Sequence, residues 1–256
     1  MTSPARISRQ LSSLALLAIA LVSTTETGLW AQQNNRRIIQ GEIRVKQSDI
    51  SAPYILVKPQ NLIVTNRYPL FIFLHGYGST PKYVMNRDFA LLTHQDFFIL
   101  LPQAPDKAEG GFSWYRLDDN NQFMADLQRD ERILSQMIEE LTASNNIDSS
   151  RGTLSGFSQG GRLTFCIGLR NPKLFSAIAP IGGFYMPELL DSHIDDAKYL
   201  RVIVFHGTQD NVNPFDNVNA ACSKFRQHGI NITLFSYPLA HTYTSEVLRR
   251  VLADVK

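Results

Sequence analysis

The stretch Gly152-Thr-Leu-Ser-Gly-Phe-Ser-Gln-Gly-Gly161 decides the fold that we expect for the chain. Residues Gly152–Ser155 predict a short strand, and an apolar helical pattern runs from about Gln159 to Leu169. Ser158 lies at the sharp turn between them, with a glycine two residues before it and another two residues after it. Such a turn raises a serine hydroxyl at the edge of a sheet, in front of a helix N-terminus that favours developing negative charge. The stretch therefore predicts a nucleophilic serine, and the alternative is a tight glycine turn without chemistry.

Short apolar runs that predict β-strands recur on both sides of this stretch. Several are continuously apolar, which is typical of strands covered on both faces of a parallel sheet. Helical patterns lie between them, the longest from about Asn121 to Ala143. The alternation predicts one doubly wound α/β domain with helices on both faces of a mostly parallel sheet of about eight strands. The predicted strands are Ile38–Val45, Tyr54–Lys58, Leu70–Leu74, Phe97–Leu101, Gly152–Ser155, Ala177–Ile181, Val202–Phe205 and Ile232–Tyr237.

Length, charge and composition exclude several classes of protein. The 256 residues include 44% hydrophobic and 19% charged residues, with a formal net charge of +2. A chain of this size buries enough surface to fold without a metal ion or a disulfide. The near-neutral charge argues against a dedicated nucleic-acid binder, so we expect no nucleic-acid partner. Cys166 and Cys222 could pair, but we expect two buried thiols because cysteine is often a core residue.

The first residues of the chain have the pattern of a secretory signal peptide. Arg6 and Arg9 precede the apolar run Leu11–Val22, which is shorter than the ~20 residues that a membrane-spanning helix needs. We therefore predict a signal peptide at residues 1–31 and a single catalytic domain at 32–256. The mature protein is expected to be periplasmic or secreted, with no stable membrane insertion. The alternative is that the segment remains as an uncleaved anchor.

A serine nucleophile needs a histidine base and an acid, which follow it in the sequence in this architecture. His75 and His206 each end a predicted strand, whereas His241 alone lies between the last predicted strand and the last predicted helix. We therefore assign His241 as the base. Asp210 follows the strand Val202–Phe205 and is the expected acid, where its carboxylate can accept from the imidazole. Asp216 is the competing candidate, but its position in a helical pattern makes it less suitable.

The negative oxygen formed during acyl transfer needs hydrogen-bond donors. The strand Leu70–Leu74 is followed by His75-Gly-Tyr-Gly78, a glycine-flanked loop that can turn a backbone N–H towards the serine. We predict that the oxyanion hole consists of the backbone N–H groups of Tyr77 and Gln159. The alternative is an ordinary strand-to-helix turn.

These motifs together resemble the α/β-hydrolase superfamily, and within it the phospholipase/carboxylesterase family that includes acyl-protein thioesterases. The resemblance covers about residues 50–256, and its most specific part is the Gly-Phe-Ser-Gln-Gly-Gly string. It implies an α/β-hydrolase fold and a serine esterase that uses neither a metal ion nor an organic cofactor. The substrate implied is a small or medium-sized ester.

Two features of the chain differ from the pattern of this family. Ala240 stands before His241, where the family usually has glycine. The apparent signal peptide is also unusual, and it brings secreted relatives of the polyhydroxybutyrate-depolymerase and feruloyl-esterase type into consideration. A serine peptidase and a non-catalytic binding protein on the same fold remain as alternatives.

The sequence also indicates how open the site is. The interval Gly182–Arg201 between two predicted strands has room for one short helix, so we predict no large cap domain and an open cleft. Trp114 lies in a loop after the strand Phe97–Leu101 and should emerge at the catalytic edge. In the family that the chain resembles, a tryptophan in this region lies beside the acyl site, so Trp114 is the predicted substrate-binding residue. The alternative is an aromatic side chain that packs against its own loop.

Overall fold

The computed structural model describes residues 37–46, 48–116 and 120–255. The chain divides into two compact units, residues 1–39 and 40–256, and the first of these is described only at residues 37–39. The predicted signal peptide and the predicted boundary after residue 31 therefore lie outside the described residues. The second unit contains the predicted catalytic residues.

An eight-stranded sheet contains all eight predicted strands, in the spatial order β1-β2-β4-β3-β7-β8-β9-β10. From β4 through β3, β7, β8 and β9 to β10 the neighbouring strands pair in parallel, whereas β2 pairs with β4 in antiparallel orientation. A separate antiparallel hairpin, β5–β6, was not predicted. The strands are β1 (Ile38–Arg44), β2 (Ser51–Val57), β3 (Tyr68–Leu74), β4 (Phe98–Pro102), β5 (Asp106–Ala108), β6 (Gly111–Ser113), β7 (Ile147–Phe157), β8 (Ala177–Ile181), β9 (Arg201–Gly207) and β10 (Ile232–Tyr237).

Helices connect these strands on both faces of the sheet. From β3 the chain continues to β4, towards the edge of the sheet formed by β1. From β7 it continues through β8 and β9 to β10, towards the opposite edge. Because parallel crossovers are right-handed, the connecting helices of the two directions lie on opposite faces. The helices are α1 (Pro81–Arg87), α2 (Phe89–Thr93), α3 (Asn120–Ser144), α4 (Gln159–Arg170), α5 (Pro187–Leu190), α6 (Phe215–Gln227) and α7 (Ser245–Ala253).

The core lies in the central strands, whose sequences are almost entirely apolar. Every residue of β3, β4 and β8 is buried, as expected for strands covered on both faces. Both predicted buried thiols are confirmed, since Cys166 and Cys222 are buried and unpaired. Strand β7 is longer than predicted because its polar first half, which the sequence pattern did not include, also pairs with β3 at Tyr68 and Ile147.

The connections of two neighbouring strands determine where a site can form. β3 and β7 are adjacent, but β3 leads to β4 on one side and β7 leads to β8 on the other. In open α/β sheets, ligands bind at the carboxyl ends of strands where the connection direction switches. The connection from β8 to β9 contains only the one-turn helix α5 and two short 3₁₀ turns. The absence of a large cap there is as predicted.

Candidate active site

Ser158 lies at the switch point, between the last residue of β7 and the first residue of α4. Its backbone has φ 56° and ψ −112°, and no other non-glycine residue in the described ranges has a positive φ. Its N–H donates to the carbonyl oxygen of Ile181 at 3.0 Å. Strain of this kind persists only where the surroundings enforce it, and it is concentrated at functional sites. The structure therefore has the strand–turn–helix that the sequence predicted.

The glycines on both sides of Ser158 are required by close backbone approach. A Cβ atom on Gly156 would lie 2.7 Å from the carbonyl group of Gly160 and 2.7 Å from the carbonyl oxygen of Leu74. A Cβ atom on Gly160 would lie 2.1 Å from that same Leu74 oxygen. No side chain fits at either position, so the end of β3 packs directly against the turn that carries Ser158.

Ser158, His241 and Asp210 form one continuous line of hydrogen bonds. The Oγ atom of Ser158 lies 2.7 Å from Nε2 of His241. Nδ1 of the same ring lies 2.8 Å from Oδ2 of Asp210. With the ring proton on Nδ1, the carboxylate holds the imidazole so that Nε2 is free to accept the serine proton. The arrangement can therefore generate a serine nucleophile.

Asp210 is held by the turn in which it lies. Its side chain is 1% exposed, and its other oxygen, Oδ1, accepts the N–H groups of Val212 at 2.9 Å and Asn213 at 2.8 Å. The competing candidate, Asp216, lies in the first turn of α6 and is exposed. The geometry thus brings Asp210, and not Asp216, to the histidine.

His206 is a second histidine beside Asp210 that the sequence reasoning left without a role. Its ring is fully buried, and its Nε2 lies 2.7 Å from the carbonyl oxygen of Asn213 and 3.5 Å from Oδ2 of Asp210. Burial lowers the pKa of His206 below its usual value. A neutral ring that donates from Nε2 therefore supports the turn that holds Asp210. The sequence signal that could have indicated this role of His206 is its position at the end of β9, directly before a glycine.

The loop that carries His241 is held by aromatic packing. The ring of Phe157 lies 5.1 Å from the ring of His241 and 5.0 Å from the ring of Tyr243, measured between ring centroids. The guanidinium of Arg87 lies 3.7 Å above the Tyr243 ring and also pairs with the buried carboxylate of Asp88. Sequence reasoning missed Phe157 and Tyr243, because no local pattern shows which rings meet a loop from another part of the chain.

The loop after β3, which carries Tyr77, lies against Ser158. A Cβ atom built on Gly76 would lie 3.5 Å from Cβ of Ser158. Within the part of the chain that the structure describes, no hydrogen bond from the N–H of Tyr77 or of Gln159 is present. The predicted oxyanion hole requires two N–H groups of this kind, free to receive a developing negative oxygen. The Tyr77 side chain itself is half exposed at this edge.

The prediction that Trp114 contacts substrate is wrong. Its side chain is fully buried, and its indole N–H donates to the carbonyl oxygen of His75 at 2.8 Å. The backbone N–H of Trp114 donates to Oε1 of Gln159 at 3.1 Å. Trp114 follows β6, which is held to the loop after β3 by pairing between Phe112 and Ser79. This pairing places the indole behind the loop, not in an open cleft.

Metal ligation was not expected from the sequence. Among the described residues, no group of three or more His, Cys, Asp or Glu side chains is arranged to hold a metal ion.

Comparisons with known proteins agree with the fold and with a hydrolase of the esterase class. The model of the Phospholipase/Carboxylesterase family matches residues 65–256. Acyl-protein thioesterase 1 homolog 2 of Dictyostelium discoideum is 31% identical over 157 residues, which cover 55% of this chain and 69% of that protein. "Probable feruloyl esterase C" of Aspergillus oryzae is 25% identical over 224 residues, which cover 84% of this chain and 76% of the relative.

Among solved structures, a carboxylesterase from Mesorhizobium loti superposes with a TM-score of 0.67. It is 18% identical, and the match covers 84% of this chain and 99% of the other. At this identity the likeness shows the fold. The family model, in contrast, spans most of the chain, including Ser158, Asp210 and His241. The chain therefore belongs to the Phospholipase/Carboxylesterase family and is a serine esterase with the α/β-hydrolase fold.

Proposed function

We propose that this protein is an exported serine hydrolase that cleaves carboxylic esters through Ser158, His241 and Asp210. The observation that carries the proposal is the line of hydrogen bonds from Asp210 to His241 (2.8 Å) and from His241 to Ser158 (2.7 Å). A serine hydroxyl is a weak nucleophile, and an adjacent oriented base is what activates it.

The reaction follows from these positions in two halves. His241 takes the proton from Ser158 while Oγ attacks the ester carbonyl carbon, and the carbonyl oxygen becomes negative within reach of the Tyr77 and Gln159 N–H groups. The tetrahedral species then expels the alcohol, which receives its proton from His241. Water repeats the sequence on the acyl-enzyme, releases the carboxylic acid and restores Ser158.

The proposed substrates are small or medium-sized esters. The short β8–β9 connection leaves no large cap over the carboxyl edge of the sheet, so varied acyl groups have access. A thioester is one candidate because one relative is named an acyl-protein thioesterase. A phenolic ester of the feruloyl type is another because a second relative is named a feruloyl esterase. A panel of matched oxygen esters and thioesters with acetyl, butyryl, octanoyl and feruloyl groups distinguishes them by kcat/KM.

The first experiment asks whether Ser158 is activated. The fragment 32–256 is treated with a fluorophosphonate, and its intact mass is measured beside that of Ser158→Ala and of Ser223→Ala, an exposed serine on α6. We expect one adduct on the unsubstituted fragment and on Ser223→Ala, and none on Ser158→Ala. The kcat of Ser158→Ala should fall about 10⁶-fold. Labelling of Ser158→Ala, or no labelling of any of the three, would contradict the proposal.

Two alternatives make different predictions in the same assays. A non-catalytic binding protein would not react with the fluorophosphonate. A serine peptidase would cleave a matched peptide amide at a measurable rate, whereas an esterase would leave that amide intact. The absence of a cap between β8 and β9 favours the esterase, since peptidases of this fold usually carry an added domain that selects peptides.

Export is proposed from the sequence pattern at residues 1–31. None of the described helices is long and apolar enough to cross a membrane. The full chain is expressed in a bacterium, and the protein recovered outside the cytoplasm is subjected to N-terminal sequencing. We expect a mature chain that begins at Gln32. A membrane-bound protein that still begins at Met1 would instead indicate an uncleaved anchor.

A further inference from the structure

The side chain of Gln159 is buried and held by three hydrogen bonds. It is 4% exposed, and its Nε2 donates to Oγ of Ser113 at 2.8 Å and to the carbonyl oxygen of Tyr115 at 3.0 Å. Its Oε1 accepts the Trp114 N–H at 3.1 Å. Both N–H groups and the oxygen of the amide are therefore engaged. The residue whose backbone N–H is one proposed oxyanion donor is thus tied to the segment 113–115.

The same segment holds the loop that carries the other donor. The indole N–H of Trp114 donates to the carbonyl oxygen of His75 at 2.8 Å, and the two rings lie 5.2 Å apart. The His75 ring is buried, and its Nε2 accepts the N–H of Ala104 at 3.2 Å. Because Nε2 accepts, the ring proton is on Nδ1, which lies 2.8 Å from the carbonyl oxygen of Gly76 and donates to it.

The orientation of one peptide group follows from that last bond. The carbonyl of Gly76 and the N–H of Tyr77 belong to the same peptide unit, and in a planar trans unit they point in opposite directions. No cis peptide is present in the described residues. Holding the Gly76 oxygen towards His75 therefore turns the Tyr77 N–H away from His75. The loop at Gly76 lies against Ser158, as its 3.5 Å approach shows.

We propose that Trp114, Gln159 and His75 form a buried brace that sets the positions of the two oxyanion donors relative to each other. This inference rests on the proposed function. The brace runs without interruption from Gln159 through Trp114 and His75 to the peptide of Tyr77. Fixed donors need no reorganisation when the oxyanion forms, which is the source of their effect on rate. Trp114 is accordingly a positioning residue that acts through the backbone and does not touch substrate.

The test compares two substitutions that each remove one hydrogen bond donated by a buried aromatic side chain. Trp114→Phe removes the bond to His75. Tyr185→Phe is the matched control, because the buried Tyr185 donates to Asp191 at 2.8 Å outside the brace. For each variant, kcat, KM, Tm and the Ki of a trifluoromethyl ketone are measured. This ketone forms a tetrahedral adduct with serine, whose negative oxygen occupies the oxyanion hole.

We expect Trp114→Phe to lower kcat about 10- to 100-fold, less than the 10²- to 10³-fold loss of an entire donor. The Ki of the ketone should rise by the same factor, while KM stays within about threefold, because ground-state binding does not use the hole. Tyr185→Phe should lower Tm but leave kcat and Ki unchanged. If Trp114→Phe does not fold, benzothienylalanine at position 114 removes only the N–H and keeps the ring shape.

Two results would overturn the brace. One is a Trp114 variant with unchanged kcat and Ki, and the other is a raised KM with unchanged kcat, which would indicate substrate contact. The failure of the proposed function is a separate outcome, because it appears in the unsubstituted protein as the absence of a fluorophosphonate adduct on Ser158.

Discussion

At the residue scale, two aspartates were candidates for the acid of the proposed triad, and a substitution at each can distinguish them. Asp210 holds Nδ1 of His241 at 2.8 Å, whereas Asp216 is exposed on α6. An amide in place of Asp210 can donate to Nδ1 and so stabilise the tautomer whose Nε2 carries the proton and cannot accept another. We expect Asp210→Asn to lower kcat roughly 10⁴-fold.

The control for this prediction is Asp216→Asn, which should retain full kcat. Both variants are assayed with the same soluble ester near neutral pH, and their folding is compared by circular dichroism. Equal losses in the two variants, or a loss confined to Asp216→Asn, would show that the acid has been assigned incorrectly.

The buried ring of His75 predicts a dependence of stability on pH. Burial lowers its pKa from 6.5 to about 4, so the folded protein keeps the ring neutral where the unfolded chain binds a proton. Stability contributed by the neutral ring is therefore present above pH 6.5 and is lost as the pH falls towards 4. Each pKa unit corresponds to 1.36 kcal/mol, so the loss by pH 5 is about 2 kcal/mol.

The measurement compares His75→Asn with the unsubstituted protein by urea unfolding at pH 7 and pH 5. Other titrating groups are common to both proteins and cancel in the difference. We expect the unsubstituted protein to lose about 2 kcal/mol more than the variant over this interval. Parallel losses would mean that the His75 ring is not kept neutral.

At the scale of secondary-structure elements, the junction of α1 and α2 supports the loop before α7. Arg87 lies 3.7 Å above the Tyr243 ring and pairs with Asp88, whose side chain is fully buried. Removal of the cation leaves the buried carboxylate with only the Tyr243 hydroxyl, which donates to it at 3.4 Å, so we expect Arg87→Met to destabilise the protein by about 3 kcal/mol.

Urea unfolding tests this prediction with two comparisons. The double variant with Arg87→Met and Asp88→Asn should recover part of the lost stability, because a neutral amide is less costly to bury. Arg249→Met breaks an exposed pair with Glu246 and should cost at most about 1 kcal/mol. Equal effects of Arg87→Met and Arg249→Met would refute the role assigned to the junction.

At the scale of the whole molecule, the short β8–β9 connection predicts that the rate depends on substrate concentration without interfacial activation. This connection is where a cap could lie, and it contains only α5 and two 3₁₀ turns. With no large lid to displace, the enzyme should not need a lipid–water interface to become active. The rate with p-nitrophenyl butyrate should rise hyperbolically and show no step at the solubility limit. A sharp increase at that limit would contradict an open site.

Much of the candidate site could be predicted because its positions follow from chain order. Ser158, Asp210 and His241 each occupy a characteristic place at the end of a strand, and the carboxyl ends of neighbouring parallel strands lie at one edge of a sheet. The hairpin β5–β6 and the burial of Trp114 could not be predicted in this way. They depend on pairing with a loop about 35 residues earlier, between Ser79 and Phe112, which no local pattern encodes.

The sequence by itself therefore determined the fold class, the eight strands of the sheet and the identity of the proposed nucleophile, base and acid. The strands follow from their apolar runs, the nucleophile from the turn in which only glycine fits at positions 156 and 160, and the base and acid from their places in chain order after that turn. The tertiary structure alone decided which groups support them: His206 behind Asp210, Phe157 against the rings of His241 and Tyr243, and Trp114 behind the loop after β3. Their roles arise from contacts between segments that are distant in the chain. Such contacts depend on how the helices, strands and loops pack, and the spacing of apolar residues within one segment does not encode them.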